Sequence, residues 1–234
     1  MKKIIFALAV AFATLCCQQL AAQTQINQTG ISSFPYTITK PGSYILTSNI
    51  NAGTALYAFL VEANNVTLNL NGFTVSGAVV CSPSSCNTNN NTFGIYSFSS
   101  YTNTTVENGT VTGFNNGVNI NEGTIHDLTV TSAYDCIAGY YVNIHNNFTF
   151  SCVNFGIYDE FGTIKDNTVS SGANFGIYGN SATIVNNNVA HITNYGIYAE
   201  TGMVQGNSTM YSGTDLTLLY SAVSNANACS AGAC

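Results

Sequence analysis

The chain has 234 residues, 46% of them hydrophobic, with 4 basic and 10 acidic side chains, no arginine and a formal net charge of −6. Phosphate backbones and anionic lipid headgroups are held by clustered cations, so nucleic acid and anionic membrane surfaces are disfavoured as partners. The length suits one domain with a sizeable core.

Lys2 and Lys3 precede an apolar run from Ile4 to Leu15, and Leu20-Ala21-Ala22 follows. This reads as a secretory signal peptide over residues 1–22, cut after Ala22 and taking Cys16 and Cys17 with it. The run is shorter than the roughly 20 residues needed to span a bilayer, and no later segment qualifies, so an integral membrane protein is not expected. Residues 23–234 are then one domain, with regular coils over about 36–209 and a C-terminal cap over 210–234. Export to the periplasm, the cell surface or the medium also makes disulfides the expected state of Cys81, Cys86, Cys136, Cys152, Cys229 and Cys234. Cys81/Cys86 and Cys229/Cys234 each bracket a short polar loop and read as local staples, which leaves Cys136 and Cys152 for a third; fifteen pairings are formally open. No Cys-x-x-Cys occurs and His126, His145 and His191 are dispersed as solvent-facing residues, so neither a metal nor another cofactor is expected.

Ser43-Tyr44-Ile45-Leu46-Thr47 and the stretch from Val66 to Val75 alternate apolar and polar residues, as half-buried strands of the first coils do. The Ser- and Asn-rich segment from Cys81 to Thr92 reads as a stapled projecting loop. Beyond it the hydrophobic residues keep a fixed period. Val106, Ile125, Ile144, Ile164, Ile184 and Val204 step by 19, 19, 20, 20 and 20, and Ile95, Val118, Ile137, Ile157, Ile177 and Ile197 by 23, 19, 20, 20 and 20. Two apolar columns on one period predict an all-β, right-handed, single-stranded parallel β-helix with coils of about 20 residues, each stacking its aliphatics on the next. Asn147, Asn167, Asn187 and Asn207 form a further column, predicted to be an amide ladder at a left-handed corner. Asn108, Asp127, Asn146, Asp166 and Asn186 make a polar column one residue earlier. After Met210 the period stops, and Leu216 to Tyr220 are expected to close the end.

Gly156-Ile157-Tyr158, Gly176-Ile177-Tyr178 and Gly196-Ile197-Tyr198, each followed by a Thr-Ile or Met-Val strand and an Asn corner, resemble the repeats of the pectate-lyase-like superfamily. Lys40-Pro41-Gly42-Ser43-Tyr44 through Gly72 resembles the opening of bacterial exported right-handed β-helix proteins. The resemblance covers about residues 36–209 and is specific for fold. For function it implies a range that includes polysaccharide lyases, hydrolases, epimerases, tailspikes and adhesins.

Lyase chemistry in that superfamily uses an Arg or Lys base, and its hydrolases an Asp-Asp pair; this chain has no arginine and no Asp-Asp. An enzyme of this chain would have to rely on Asp159, Glu160, Glu200 and Lys165, which read more simply as solvated residues. Tyr158, Tyr178 and Tyr198 follow inward isoleucines and are expected to face out as a stripe beside Glu160 and Glu200. Aromatic rings rimmed by carboxylates and amides suit sugars, so polysaccharide or a cell surface is the expected partner, with self-association as the structural alternative. By the same alternation Phe155, Phe175 and Tyr195 are expected to point into the core. The Thr-x-Thr segments at 110–112 and 129–131, broken by Phe148 and Phe150, read as ordinary exposed strand positions.

Overall fold

The structure is a computed structural model describing residues 23–82, 85–87, 91–172, 174–220, 222–230 and 232–234. The expected signal peptide over 1–22 lies outside these residues. Among them the regular elements are β-strands and one short 3-10 turn at Gln28–Gly30, and no helix is long and apolar enough to cross a membrane.

Each regular coil lays three short strands on three parallel faces. The first face includes Tyr57–Val61, Phe93–Ser97, Phe155–Glu160, Phe175–Asn180, Tyr195–Ala199 and Thr214–Leu218. Gly42–Leu46, Val66–Asn69, Thr163–Lys165, Ala182–Val185 and Gly202–Gln205 lie on the second. Thr74–Gly77, Phe148–Phe150, Thr168–Ser170, Asn188–Ala190 and Ser208–Met210 lie on the third. In the middle of the molecule a single strand, Asn116–Thr131, runs through all three. The register stacks like on like, with Ile157, Ile177 and Ile197 in one column and Ile144, Ile164, Ile184 and Val204 in another. All of these are fully buried. Each such side chain contributes about 1.5–3 kcal/mol on leaving water, a gain one coil cannot obtain without neighbours to cover it.

The corners divide their work between two adjacent columns. The left-handed backbone belongs to Asn108, Asp127, Asn146, Asp166 and Asn186, with φ between 54° and 58°. The ladder of Asn147, Asn167, Asn187 and Asn207 follows them with no positive φ, which corrects the expectation that the ladder itself turns the corner. Its side chains point inward and are almost wholly buried. The backbone N–H and the Nδ2 of each Asn donate to the Oδ1 of the next, at 2.8–3.0 Å, and the Nδ2 also donates to the carbonyl of the inward aliphatic in the coil before. Buried backbone groups at a corner have no strand partner, and the amide supplies one at every step.

The ladder continues to Asn227. Thr214–Leu218 pairs with Tyr195–Ala199, and Val223–Asn225 with the strand at Gly202–Gln205, so one more coil stands where the sequence pattern fades after Met210. Leu216 and Leu218 belong to that coil and pack against the core. Ala228–Cys229 then folds back antiparallel on Gly232–Ala233 to close the end.

The alternation rule fails at one place on the first face. Gly156 and Ile157 both face inward, as do Gly176 with Ile177 and Gly196 with Ile197, so Phe155, Phe175 and Tyr195 emerge on the outside, half-buried. They are not core. Two consecutive inward residues fit only because the first is glycine: a Cβ at Gly156 would lie 2.5 Å from both the Gly176 carbonyl oxygen and Val169 Cγ1.

Among the described residues three disulfides form, Cys81–Cys86, Cys136–Cys152 and Cys229–Cys234. The first staples a two-stranded hairpin on the projecting loop, and the third the terminal turn. Cys136–Cys152 is buried and ties the start of one coil to its end, 16 residues on. Replacing both of its cysteines by alanine is expected to lower unfolding free energy by about 3 kcal/mol, the value for a closed loop near this length, read from urea denaturation. An unchanged midpoint would show that stacking alone fixes this coil.

Candidate functional site

Tyr158, Tyr178 and Tyr198 stand on the outside of the first face in one register column. Phe155, Phe175 and Tyr195 form a second column beside them. Ring centroids are 5.4 Å apart between Tyr158 and Tyr178, and 5.2 Å between Tyr178 and Tyr198 with planes 13° from parallel. The Phe column stacks the same way, at 5.3 and 5.2 Å. Near-parallel rings this close cannot lie side by side in one plane without overlap, so they cover one another in offset stacks and turn mainly edges and hydroxyls to solvent. A second aromatic cluster, Tyr57, Phe93, Tyr96 and Phe98, occupies the same face toward the N-terminal end.

The hydroxyls are tied to acids. Tyr178 donates to Glu200 Oε1, Tyr158 donates to Glu160 Oε2 at 3.4 Å, and Asn180 Nδ2 reaches Glu160 Oε1 at 3.2 Å. Burial and the neighbouring carboxylate both push the Tyr178 and Tyr158 hydroxyls above the usual phenol range, so they act as donors. Asp159 is elsewhere. It sits inside the coil, wholly buried, in the column Ile120, Gly139, Asp159, Gly179, Ala199, where the flanking glycines leave room for its carboxyl. This corrects its reading as a solvated corner acid. Its Oδ1 receives a long bond from the Val142 amide at 3.4 Å, its Oδ2 meets no donor in good hydrogen-bond geometry among the described residues, and burial drives the group up to about 7 against the weaker pull of the Val142, Gly162 and Glu160 amides. Lys165 lies on the second face, between His145 and Val185. The four residues an enzyme would need are thus spread over the interior and two faces.

His126 and His145 also occupy the second face, stacked at 4.9 Å, and His126 bridges Glu107 at 3.1 Å and Asp127 at 2.7 Å. They are half-buried rather than free in solvent. Burial, then the charges of His126 and Lys165, hold His145 below the usual imidazole range. Among the described residues no three His, Cys, Asp or Glu side chains gather to hold a metal ion.

Between the two aromatic clusters the stack is interrupted. The column that carries Tyr96 and Tyr158 passes through Asn119 and Ala138, and the column of Phe93 and Phe155 through Asn116 and Asp135. Asp135 ends a second amide ladder that the sequence reading missed. Asn194 Nδ2 donates to Asn174 Oδ1 at 3.0 Å, Asn174 to Asn154 at 2.9 Å, and Asn154 to Asp135 Oδ1 at 3.0 Å. The spacing of 20 between these asparagines was the available signal. The Phe155 amide adds a bond to the same oxygen at 3.3 Å, yet burial still raises the Asp135 carboxyl to about 6. Asp135 also lines a cavity of about 210 Å³ with Asn91, Asn115, Asn116 and Tyr134.

No protein-family model matches the chain, and no curated protein matches it. Among solved structures, the Dettilon tailspike protein superimposes with a TM-score of 0.59 over 80% of this chain, at 16% identity. That likeness shows the fold, a parallel β-helix; the chain spans 42% of the tailspike chain.

Proposed function

We propose that this protein is an exported, non-catalytic β-helix whose first face binds polysaccharide at a cell surface. The observation that carries the reading is the aromatic stack itself: six half-exposed rings in two columns, with tyrosine hydroxyls and the carboxylates of Glu160 and Glu200 along one edge. Such a surface offers apolar area at low entropic cost and a polar rim for hydroxyl groups. Three disulfides fit an oxidising compartment. The resemblance to pectate-lyase-like repeats suits a scaffold that presents a lateral surface to glycans, and the tailspike likeness supports the fold on which such a surface would stand. Dispersal of Asp159, Glu160, Glu200 and Lys165 favours binding over a lyase or hydrolase reaction, which needs its groups converging on one bond.

The test is a binding screen of the purified protein against neutral and acidic polysaccharides, with unsaturated ends and reducing sugar followed in the same incubations. Joint replacement of Tyr158, Tyr178 and Tyr198 by alanine is expected to weaken binding by about tenfold or more while the variant still melts cooperatively. Undiminished binding by the triple variant refutes the reading. Product formation moves the protein to the enzymes.

A further inference from the structure

Within that reading, we propose that the interruption of the aromatic stack at Ala138, beside Asp135, is the subsite that takes a single uncharged pyranose ring of the polysaccharide. The reasoning starts from which ring faces are free. Tyr178 is covered on both sides, by Tyr158 and Tyr198, and so presents no face to a sugar. Tyr158 is the last ring of its column: toward the N-terminal end its register neighbour is Ala138, whose side chain is one methyl group. Tyr96, the next ring along the column, lies three coils away, about 14 Å at the spacing of parallel strands. The slot between them, with Ala138 and Asn119 as its floor, is where an aromatic face lies open to a ring lying flat against it.

Polar groups border the slot. Tyr140, two residues beyond Ala138, is exposed at one side. At the other side stands Asp135. Its Oδ1 is occupied by Asn154 Nδ2 and the Phe155 amide, and its Oδ2 makes no hydrogen bond among the described residues. The ladder Asn194, Asn174, Asn154 points every amide donor toward this carboxylate, so the amide dipoles add along the chain and favour the ionised acceptor. A carboxylate held by one oxygen and open at the other accepts a sugar hydroxyl in a charge-assisted bond, stronger than a neutral one. The cavity of about 210 Å³ that Asp135 shares with Asn91, Asn115, Asn116 and Tyr134 lies beside the slot and is lined mainly by polar side chains, a setting for the hydroxyl groups of a neighbouring sugar unit.

Charge selects among sugars. Asp135 and Glu160 flank the slot, Lys165 is on another face, and the chain has no arginine. A uronate would bring a like charge with no cation to meet it, so the subsite fits neutral hexoses and rejects acidic ones.

Two substitutions isolate the slot. Asp135→Asn keeps the Oδ1 acceptor that Asn154 and Phe155 use and removes the carboxylate. Ala138→Phe supplies the missing ring and fills the space, at a half-exposed position where the stack extends by one rung. The probes are dextran, mannan, β-1,3-glucan and polygalacturonate, measured by affinity electrophoresis and calorimetry, with thermal melts to confirm folding. The expected result is that the protein binds a neutral polymer and not polygalacturonate, and that each variant weakens this binding by about tenfold or more. If the neutral polymer binds and the tyrosine triple variant loses it while Asp135→Asn and Ala138→Phe bind as the parent does, the aromatic face stands and the slot falls. A preference for polygalacturonate overturns the assignment to neutral sugars. Absence of binding to all four probes overturns both readings. Should Ala138→Phe not fold, Asp135→Asn decides alone.

Discussion

Asn187→Leu is expected to lower the unfolding free energy by roughly 2–6 kcal/mol, from two buried groups left bare at about 1–3 kcal/mol each. In the parent, Asn187 Oδ1 accepts from the Asn167 amide and Nδ2, both at 3.0 Å, and its own Nδ2 donates to the Ile164 carbonyl at 2.9 Å. Leucine nearly matches the side chain in size and can do neither. The Asn167 N–H then faces an apolar interior, while Asn167 Nδ2 keeps its bonds to Ile144 and Lys165 and limits the damage. Against a total stability of about 5–15 kcal/mol, this is a large displacement of the urea midpoint. A midpoint shift worth less than about 0.5 kcal/mol, the ordinary effect of a surface change, would mean that the aliphatic columns hold the corner without the amides.

Asp159→Asn is expected to act in the opposite direction at neutral and alkaline pH. The Asp159 carboxyl is raised from 3.8 to about 7 in the folded chain. Below about pH 4 it is protonated folded or unfolded, and the native state keeps its full stability. From there upward the unfolded chain ionises freely while the folded chain holds its proton, so stability falls by about 1.4 kcal/mol per pH unit until the folded group also titrates near pH 7. The whole loss is on the order of 4 kcal/mol. Asparagine retains the shape and carries no charge, so the variant should match the parent near pH 4, exceed it at pH 8 and show a flatter profile between. Asp135, raised to about 6 in the same sense, leaves a residual slope below pH 6 in both proteins. Urea midpoints across pH 3.5–8.5 measure this. A variant weaker than the parent at pH 8 would show that the ionised carboxyl is stabilised inside the coil and that its burial is not a net cost.

Much of the architecture is legible in the sequence because a β-helix repeats its decisions. Ile144, Ile164 and Ile184 each report the same inward position, so one ambiguous coil is read through its neighbours. Loop length suggests the two local disulfides, while Cys136–Cys152 is only what remains among fifteen formal pairings until the fold brings the two together. Legibility fails where the backbone departs from strict alternation. Counting two residues back from an inward isoleucine puts Phe155, Phe175 and Tyr195 inside; the intervening Gly156, Gly176 and Gly196 turn in as well and reverse the phase. A glycine at every such position was the sign of two consecutive inward residues. Asp159 was misplaced for a related reason: its chemistry argued for solvent, while the glycines one coil before and after it argued for an interior site with space for a carboxyl. In the candidate site, the tyrosine column was readable, but its mutual coverage was not, because ring orientation depends on coil spacing. The interruption at Asn119 and Ala138 was visible in the columns as a mere break, and only the register shows that it lies between two aromatic clusters.

The asparagine ladder also makes this protein a ruler. Asn167 and Asn187 meet the same partners in the same places, an amide ahead and an aliphatic carbonyl behind. A segment of 20 residues can therefore be duplicated or lost between them with the ladder bonds re-formed, whereas a change of one residue has to be absorbed in a turn, as in the 19-residue step from Ile125 to Ile144. Reach along the axis grows in whole coils of about 4.8 Å. If the first face binds polysaccharide as proposed, the number of coils sets how much of an extended polymer it can lie alongside.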